Sequence, residues 1–119
     1  MGDMEHAHTY SYPLFKASSS ALSDRQRGVR AFAERLRRAE SVLVVGGGAV
    51  GVEFSGEVLH LYPEKKITLV HSADRLVGTC PPRASRLLAD AFLRHPHARL
   101  VLSDRIVAAE VRPIASSAV

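Results

Sequence analysis

The chain has 119 residues, 46% of them apolar and 24% charged, which is the composition of one small folded domain and excludes a disordered chain. Sixteen basic against twelve acidic residues give a net charge of +4, and a single cysteine excludes an intrachain disulfide and a CxxC redox pair. No apolar run approaches membrane-spanning length, and the first twenty residues lack a basic end followed by an apolar centre, so a cytoplasmic setting is expected.

Residues 1–20 carry no helical or strand period, and Ser18, Ser19 and Ser20 read as a linker. His6 and His8 are too few ligands for a metal, and a flexible N-terminal segment is the simpler expectation. A helix follows, about Leu22 to Ala39, with Ser23 and Gln26 at capping-box spacing. Val29, Phe32, Ala33 and Leu36 give it one apolar face. Arg25, Arg27, Arg30, Arg35, Arg37 and Arg38 hold most of the chain's excess charge. Without interleaved aromatics or a zinc-finger or helix-turn-helix pattern, they read as a solvated face and not as a nucleic-acid surface.

Ser41 to Val45 is continuously apolar and largely β-branched, as a strand buried on both faces should be. Glycines come next, and Val50, Phe54, Val58 and Leu61 then repeat at helical spacing until Pro63 stops the helix after Tyr62. Ile67 to Val70 is a second strand. The loop beyond it holds Cys80, Pro81 and Pro82, where a thiol has no special role. A third helix presents Ala84, Leu87, Leu88, Ala91 and Phe92, and Arg99 to Leu102 is a third strand. Ile106 to Val111 has the pattern of a fourth. His95 and His97 flank Pro96 at a bend that needs no metal to explain it. Strand and helix alternate as in a parallel α/β sheet with right-handed crossovers. The expected fold is therefore a Rossmann-like three-layer parallel sheet, incomplete, with an extra N-terminal helix. It would occupy residues 21–112, and 113–119 would be a tail.

Gly46-x-Gly48-x-x-Gly51 follows a strand, opens a helix and sits in a βαβ unit, which is the context a dinucleotide turn requires. Gly46 would permit the tight turn, Gly48 would admit a pyrophosphate to the backbone, and Gly51 would let helix and strand lie close. Unpaired N–H groups and the positive end of the helix dipole would then face the phosphates of a cofactor lying across Gly46, Gly47, Gly48, Ala49, Val50 and Gly51. The alternative is a glycine bend that is merely structural. The acid that usually ends the second strand is missing. His71 and Ser72 stand there, with Arg75 beyond. An imidazole does not repel a 2′-phosphate, which favours NADPH or tolerance of both cofactors, although His71 reads equally well as a plain strand-end residue. Glu53 reads as an acid in the first helical turn.

Ser41 to Val77, with "GGGxxGVE" followed by "YPEKxxTLVHS", resembles the NAD(P)H-binding domain of the two-dinucleotide flavoprotein reductases. Within them it is most similar to the apoptosis-inducing-factor-2-like, or ferroptosis-suppressor, NAD(P)H:quinone oxidoreductases. The likeness extends over about Ala21 to Val111. It implies an NAD(P)H site at the glycine turn, with Glu53 toward the nicotinamide and flavin end. It also implies an FAD held by a separate domain with its own glycine turn, which these 119 residues lack. The expectation is a cofactor-binding portion that does not turn over alone. The alternative expectation is a non-catalytic module that forms homo-oligomers through an exposed sheet edge.

Overall fold

The computed structural model describes residues 21–107. The expected fourth strand lies mostly outside them, as do the N-terminal segment, the C-terminal tail, His6 and His8; Ile106 and Val107 are not in a strand. Among the described residues, Arg35–Ile106 form one compact unit, and 21–34 with Val107 belong to another.

Helix α1 (Leu22–Arg38) begins one residue ahead of Ser23, so Ser23 lies inside the helix and does not cap it. No residue of α1 is buried. Val29 and Ala33 of its expected apolar face are exposed, and Phe32 and Leu36 are half-buried.

Strands β1 (Ser41–Val45), β2 (Lys66–Val70) and β3 (Ala98–Val101) form a parallel sheet in the order β1-β2-β3. Helix α2 (Ala49–Leu61) joins the first two strands, and α3 (Pro82–Leu93) joins the last two. The register places Val42 beside Ile67 and Ala98, and Val44 beside Leu69 and Leu100. This row meets Val58 and Leu59 of α2 and Phe92 of α3 in one apolar core. Both helices thus stand on the same face, as successive right-handed crossovers demand.

The other face corrects an expectation. Leu43 and Val45 are 57% and 60% exposed, so β1 is not buried on both faces. Alternation along a strand sends these two side chains away from α2 and α3, and the described part of this unit puts no helix over them. What is described of the unit is two layers of the Rossmann-like arrangement.

The helix faces are also rotated from the expected stripes. On α2, Val50 and Leu61 are exposed, whereas Ser55, Val58 and Leu59 are buried. The cause is Gly51. A Cβ there would overlap the carbonyl oxygen of Gly46, so only glycine lets α2 lie this close to the end of β1. Ser55, one turn on, donates its hydroxyl to Gly51 O at 2.7 Å and can be buried without a loose polar atom. On α3, Ser85, Leu88, Ala89 and Phe92 turn inward, and Leu87 turns out.

At the opposite end of the sheet, Lys65 is buried, with 5% of its surface exposed. Its Nζ donates to Arg37 O at 2.9 Å and to Ala39 O, and it stands 4.6 Å from the centre of the Tyr62 ring. The ammonium thereby satisfies carbonyls at the C-terminus of α1, where a cation also suits the helix dipole. This gives Tyr62-Pro63-Glu64-Lys65 a structural role.

Candidate functional site

The glycine turn leaves β1 through Gly46, whose φ of +108° is open to glycine and strained for any side chain. Gly46 N–H donates to Val70 O at 2.8 Å, which carries the β1–β2 ladder one residue past the strands. Gly47 is held at both ends. Its N–H donates to His71 Nδ1 at 2.9 Å, and its carbonyl accepts from Val77 N–H at 2.8 Å. The packing is equally tight, since a Cβ on Gly47 would come within 2.6 Å of Leu76 Cδ2 and 2.8 Å of His71 Cγ. Gly47 therefore has glycine for close approach, and its amide faces the imidazole.

Gly48 is the N-cap of α2, with extended backbone and no side chain capping the helix. A Cβ placed on it would meet nothing within 4 Å, so the space before it is open. No acidic residue stands in the first turn of α2. Glu53 lies in the second turn and is exposed, because the helix begins at Ala49; that corrects its expected first-turn position. Ala49 and Val50 are exposed on the first turn. An uncapped helix start with partial positive charge and no carboxylate beside it suits an anion.

A cleft of about 200 Å³ lies beside this turn, at the C-terminal ends of the strands. Val45, Gly46, Val70, His71 and Ser72 contribute one wall, and Asp104, Arg105 and Ile106 contribute another. Outside the C-terminal strand ends is where open α/β sheets hold ligands. His71 N–H donates to Val101 O at 2.8 Å and His71 O accepts from Asp104 N–H at 3.2 Å, so β3 and its exit fix the position of His71. Asp104 Oδ1 accepts the Arg105 N–H at 2.8 Å.

Of the expected site residues, the structure brings together Gly46, His71 and Ser72 at the cleft, with Gly47 to Gly51 adjoining it. Arg75 is not a cleft residue; its guanidinium donates to Gly78 O at 2.8 Å within its own loop. Asp104 and Arg105 were not expected. Their only sequence signal is position just after the third strand, and the β1-β2-β3 order brings that position to His71. Two non-glycine residues with positive φ, Val77 at 45° and Ser103 at 55°, occur in the same two loops. Strained backbone of this kind concentrates where geometry is held for a purpose.

His95 follows the C-cap of α3, with its N–H on Phe92 O at 3.3 Å and its carbonyl accepting Ala98 N–H at 3.1 Å. Among the described residues no three His, Cys, Asp or Glu side chains are grouped to hold a metal. No described helix is long and apolar enough to cross a membrane.

Residues 13–114 match the family described as "Pyridine nucleotide-disulphide oxidoreductase". The chain is 32% identical over 103 residues to apoptosis-inducing factor homolog A of Dictyostelium discoideum, covering 82% of this chain and 24% of that protein. It is 31% identical over 103 residues to human ferroptosis suppressor protein 1, covering 84% of this chain and 28% of that protein. Among solved structures, it resembles reduced Bacillus anthracis CoADR-RHD with a TM-score of 0.59 and 25% identity, over 77% of this chain and 16% of that one. The covalent putidaredoxin reductase–putidaredoxin complex shares the fold, with a TM-score of 0.58, 20% identity, and coverage of 76% and 20%. The chain thus spans about a quarter of the length of these curated relatives.

Proposed function

Because the chain belongs to the pyridine nucleotide-disulphide oxidoreductase family, whose members are FAD-dependent NAD(P)H oxidoreductases, we propose that it supplies the NAD(P)H-binding portion of such an enzyme. The observation that carries this reading is the uncapped start of α2 behind Gly46–Gly51, open at Gly48 and free of carboxylates in its first turn. The amides of Gly48, Ala49, Val50 and Gly51 bind the diphosphate, assisted by the helix dipole. One end of the dinucleotide enters the cleft between His71, Ser72 and Asp104, since 200 Å³ holds a part of it and not the whole.

His71 stands at the end of β2 where an acid usually stands and does not repel a 2′-phosphate, while Asp104 lies on the other wall of the cleft. Both NADH and NADPH are therefore accepted, with Arg75 turned away from either. NAD(P)H held by these residues would supply a hydride for an FAD-dependent reaction with a quinone-type acceptor. Glu53, exposed on the second turn of α2, lies toward the nicotinamide end. The contribution of these residues is to bind and orient NAD(P)H.

A thermal-denaturation titration tests the site. NADH and NADPH should each raise the midpoint by a few degrees, saturating at modest concentration. No shift with either removes the cofactor reading. The exposed Leu43 and Val45 on β1, which pairs only with β2 among the described residues, favour a second reading: a non-catalytic module that self-associates through that strand. A dimer in light scattering with no nucleotide response would select it.

A further inference from the structure

Two arginines stand near the glycine turn, and the fold treats them differently. Arg75, in the loop after β2, is committed, because its guanidinium donates to Gly78 O at 2.8 Å. Arg105 belongs to the cleft wall that stands across from His71 and Ser72, and it is exposed. Its backbone N–H donates to Asp104 Oδ1 at 2.8 Å, but among the described residues its guanidinium has no hydrogen-bond or ion-pair partner.

The backbone fixes the segment that carries this free cation. Ser103 N–H donates to Ala73 O at 2.9 Å and Asp104 N–H donates to His71 O at 3.2 Å, so the exit of β3 is tied to the exit of β2 at two points. Ser103, with φ of 55°, forms the bend between β3 and the residues that line the cleft. When a diphosphate sits on the start of α2, the adenosine ribose lies at the end of β2, where an acid selects a free 2′-hydroxyl. His71 holds that place here, and Arg105 faces it. A guanidinium ends in a planar fork that can give two N–H groups to one phosphate.

We infer that Arg105 sets the cofactor preference of this site by pairing with the adenosine 2′-phosphate, so that NADPH is taken ahead of NADH. The inference rests on the dinucleotide reading above and adds a direction to it. Asp104 pulls the other way, since a carboxylate repels the phosphate and suits the hydroxyls of NADH. It is exposed, which screens the repulsion, and its Oδ1 is already turned back to the Arg105 amide. Arg105 therefore governs, and its own exposure keeps the preference moderate.

Calorimetric titration of the 119-residue chain with NADPH and with NADH, at low salt and about pH 8, tests the assignment. At that pH the 2′-phosphate holds nearly two negative charges, because the second ionisation of a phosphate monoester falls at about pH 6. The wild type should bind NADPH about tenfold more tightly than NADH, as one charge-assisted pairing allows. Arg105→Ala should bring the ratio of the two Kd values to about one, with the loss falling mainly on NADPH. Arg105→Lys keeps the charge without the fork, so its ratio should lie between the two. Raising the salt to about 0.5 M should narrow the wild-type ratio and leave that of Arg105→Ala in place.

An NADPH preference that survives in Arg105→Ala belongs to another group and overturns the inference. Equal weakening of both cofactors also overturns it, since Arg105 would then serve the adenosine they share. A wild type that binds both without preference, or favours NADH, overturns the inference alone, whereas one that binds neither removes the dinucleotide reading with it. The thermal midpoint of Arg105→Ala without nucleotide should match the wild type, because the side chain is exposed. If that variant does not fold, the wild-type salt series decides: a preference that does not narrow with salt overturns the inference.

Discussion

The two faces of the sheet are built from similar residues and reach opposite ends. On one, Ile67 and Leu69 are fully buried and Val44 nearly so, beneath Val58, Leu59 and Phe92. On the other, Leu43 and Val45 of β1 remain more than half exposed, and Arg99 takes the matching place on β3. A single apolar strand thus serves as core along one edge and as open surface along the other. The composition of β1 is that of a strand covered twice, and the described residues of its unit cover it once. The difference separates what this unit stabilises with its own helices from what it offers to something else.

The sharpest way to break the comparison is to remove side chains from the closed face. Leu69→Ala takes a fully buried group from the centre of β2 and should cost about 3 kcal/mol, from the transfer of the lost atoms plus the cavity left behind. In a domain this small, that is a large part of the total stability. Urea denaturation followed by circular dichroism measures it, and a loss below about 1 kcal/mol would mean that the face is not a packed core.

Next in size is Gly51→Ala. The added methyl meets Gly46 O, which belongs to backbone and cannot rotate away, so α2 must withdraw from β1. A loss of about 2 kcal/mol is expected from the overpacking, together with weaker nucleotide binding because the α2 amides move with the helix. Gly48→Ala makes the contrast, since the space in front of Gly48 is open. It should fold nearly as well as the wild type and lose nucleotide affinity because its methyl enters the phosphate path. Equal stability losses for the two variants would contradict the close approach at Gly51.

A smaller effect is expected at the far end of the sheet. Lys65→Met keeps the apolar stem and removes the ammonium from Arg37 O and Ala39 O. Two carbonyls lose a donor while a desolvated charge is relieved, so the net loss should be about 1 kcal/mol. Nucleotide affinity should not change, because Lys65 and the glycine turn stand at opposite ends of the strands. A loss of affinity without a loss of stability would count against the structural role of the Tyr-Pro-Glu-Lys turn.

How much of this was legible in the sequence depends on what kind of information each feature needs. β1 and the ends of α2 and α3 follow from local rules, namely β-branched runs and prolines. The parallel alternation follows from element order. The helix faces sit about one position away from the stripe that the large apolar residues mark. The residues that actually face the sheet begin with Gly51 and Ser55, and their smallness is the reason for the contact. The glycine turn was legible as a motif, but the bond from Gly47 to His71 spans 24 residues and depends on the β1–β2 register. Asp104 and Arg105 were invisible for the same reason. Nothing local marks a residue after β3 as the wall of a cleft that opens beside β1. Lys65 stands in the sequence as part of a family motif, and its physical cause, a pair of carbonyls that precede β1, is visible only in the fold.

The smallest expected effect carries the most information about the open face. Leu43→Thr puts a strand-favouring β-branched side chain in place of leucine and removes apolar surface from a position that is already 57% exposed. If the chain is monomeric, almost no buried area is lost, and stability should change by no more than about 0.5 kcal/mol. If instead β1 meets a second copy, the same substitution puts a hydroxyl into an interface. The apparent stability would then fall by more than about 1 kcal/mol and would depend on protein concentration, as it must when folding and association are linked. Denaturation at two concentrations a hundredfold apart, for wild type and Leu43→Thr, distinguishes these outcomes. Curves that do not move with concentration would leave the self-associating reading without support.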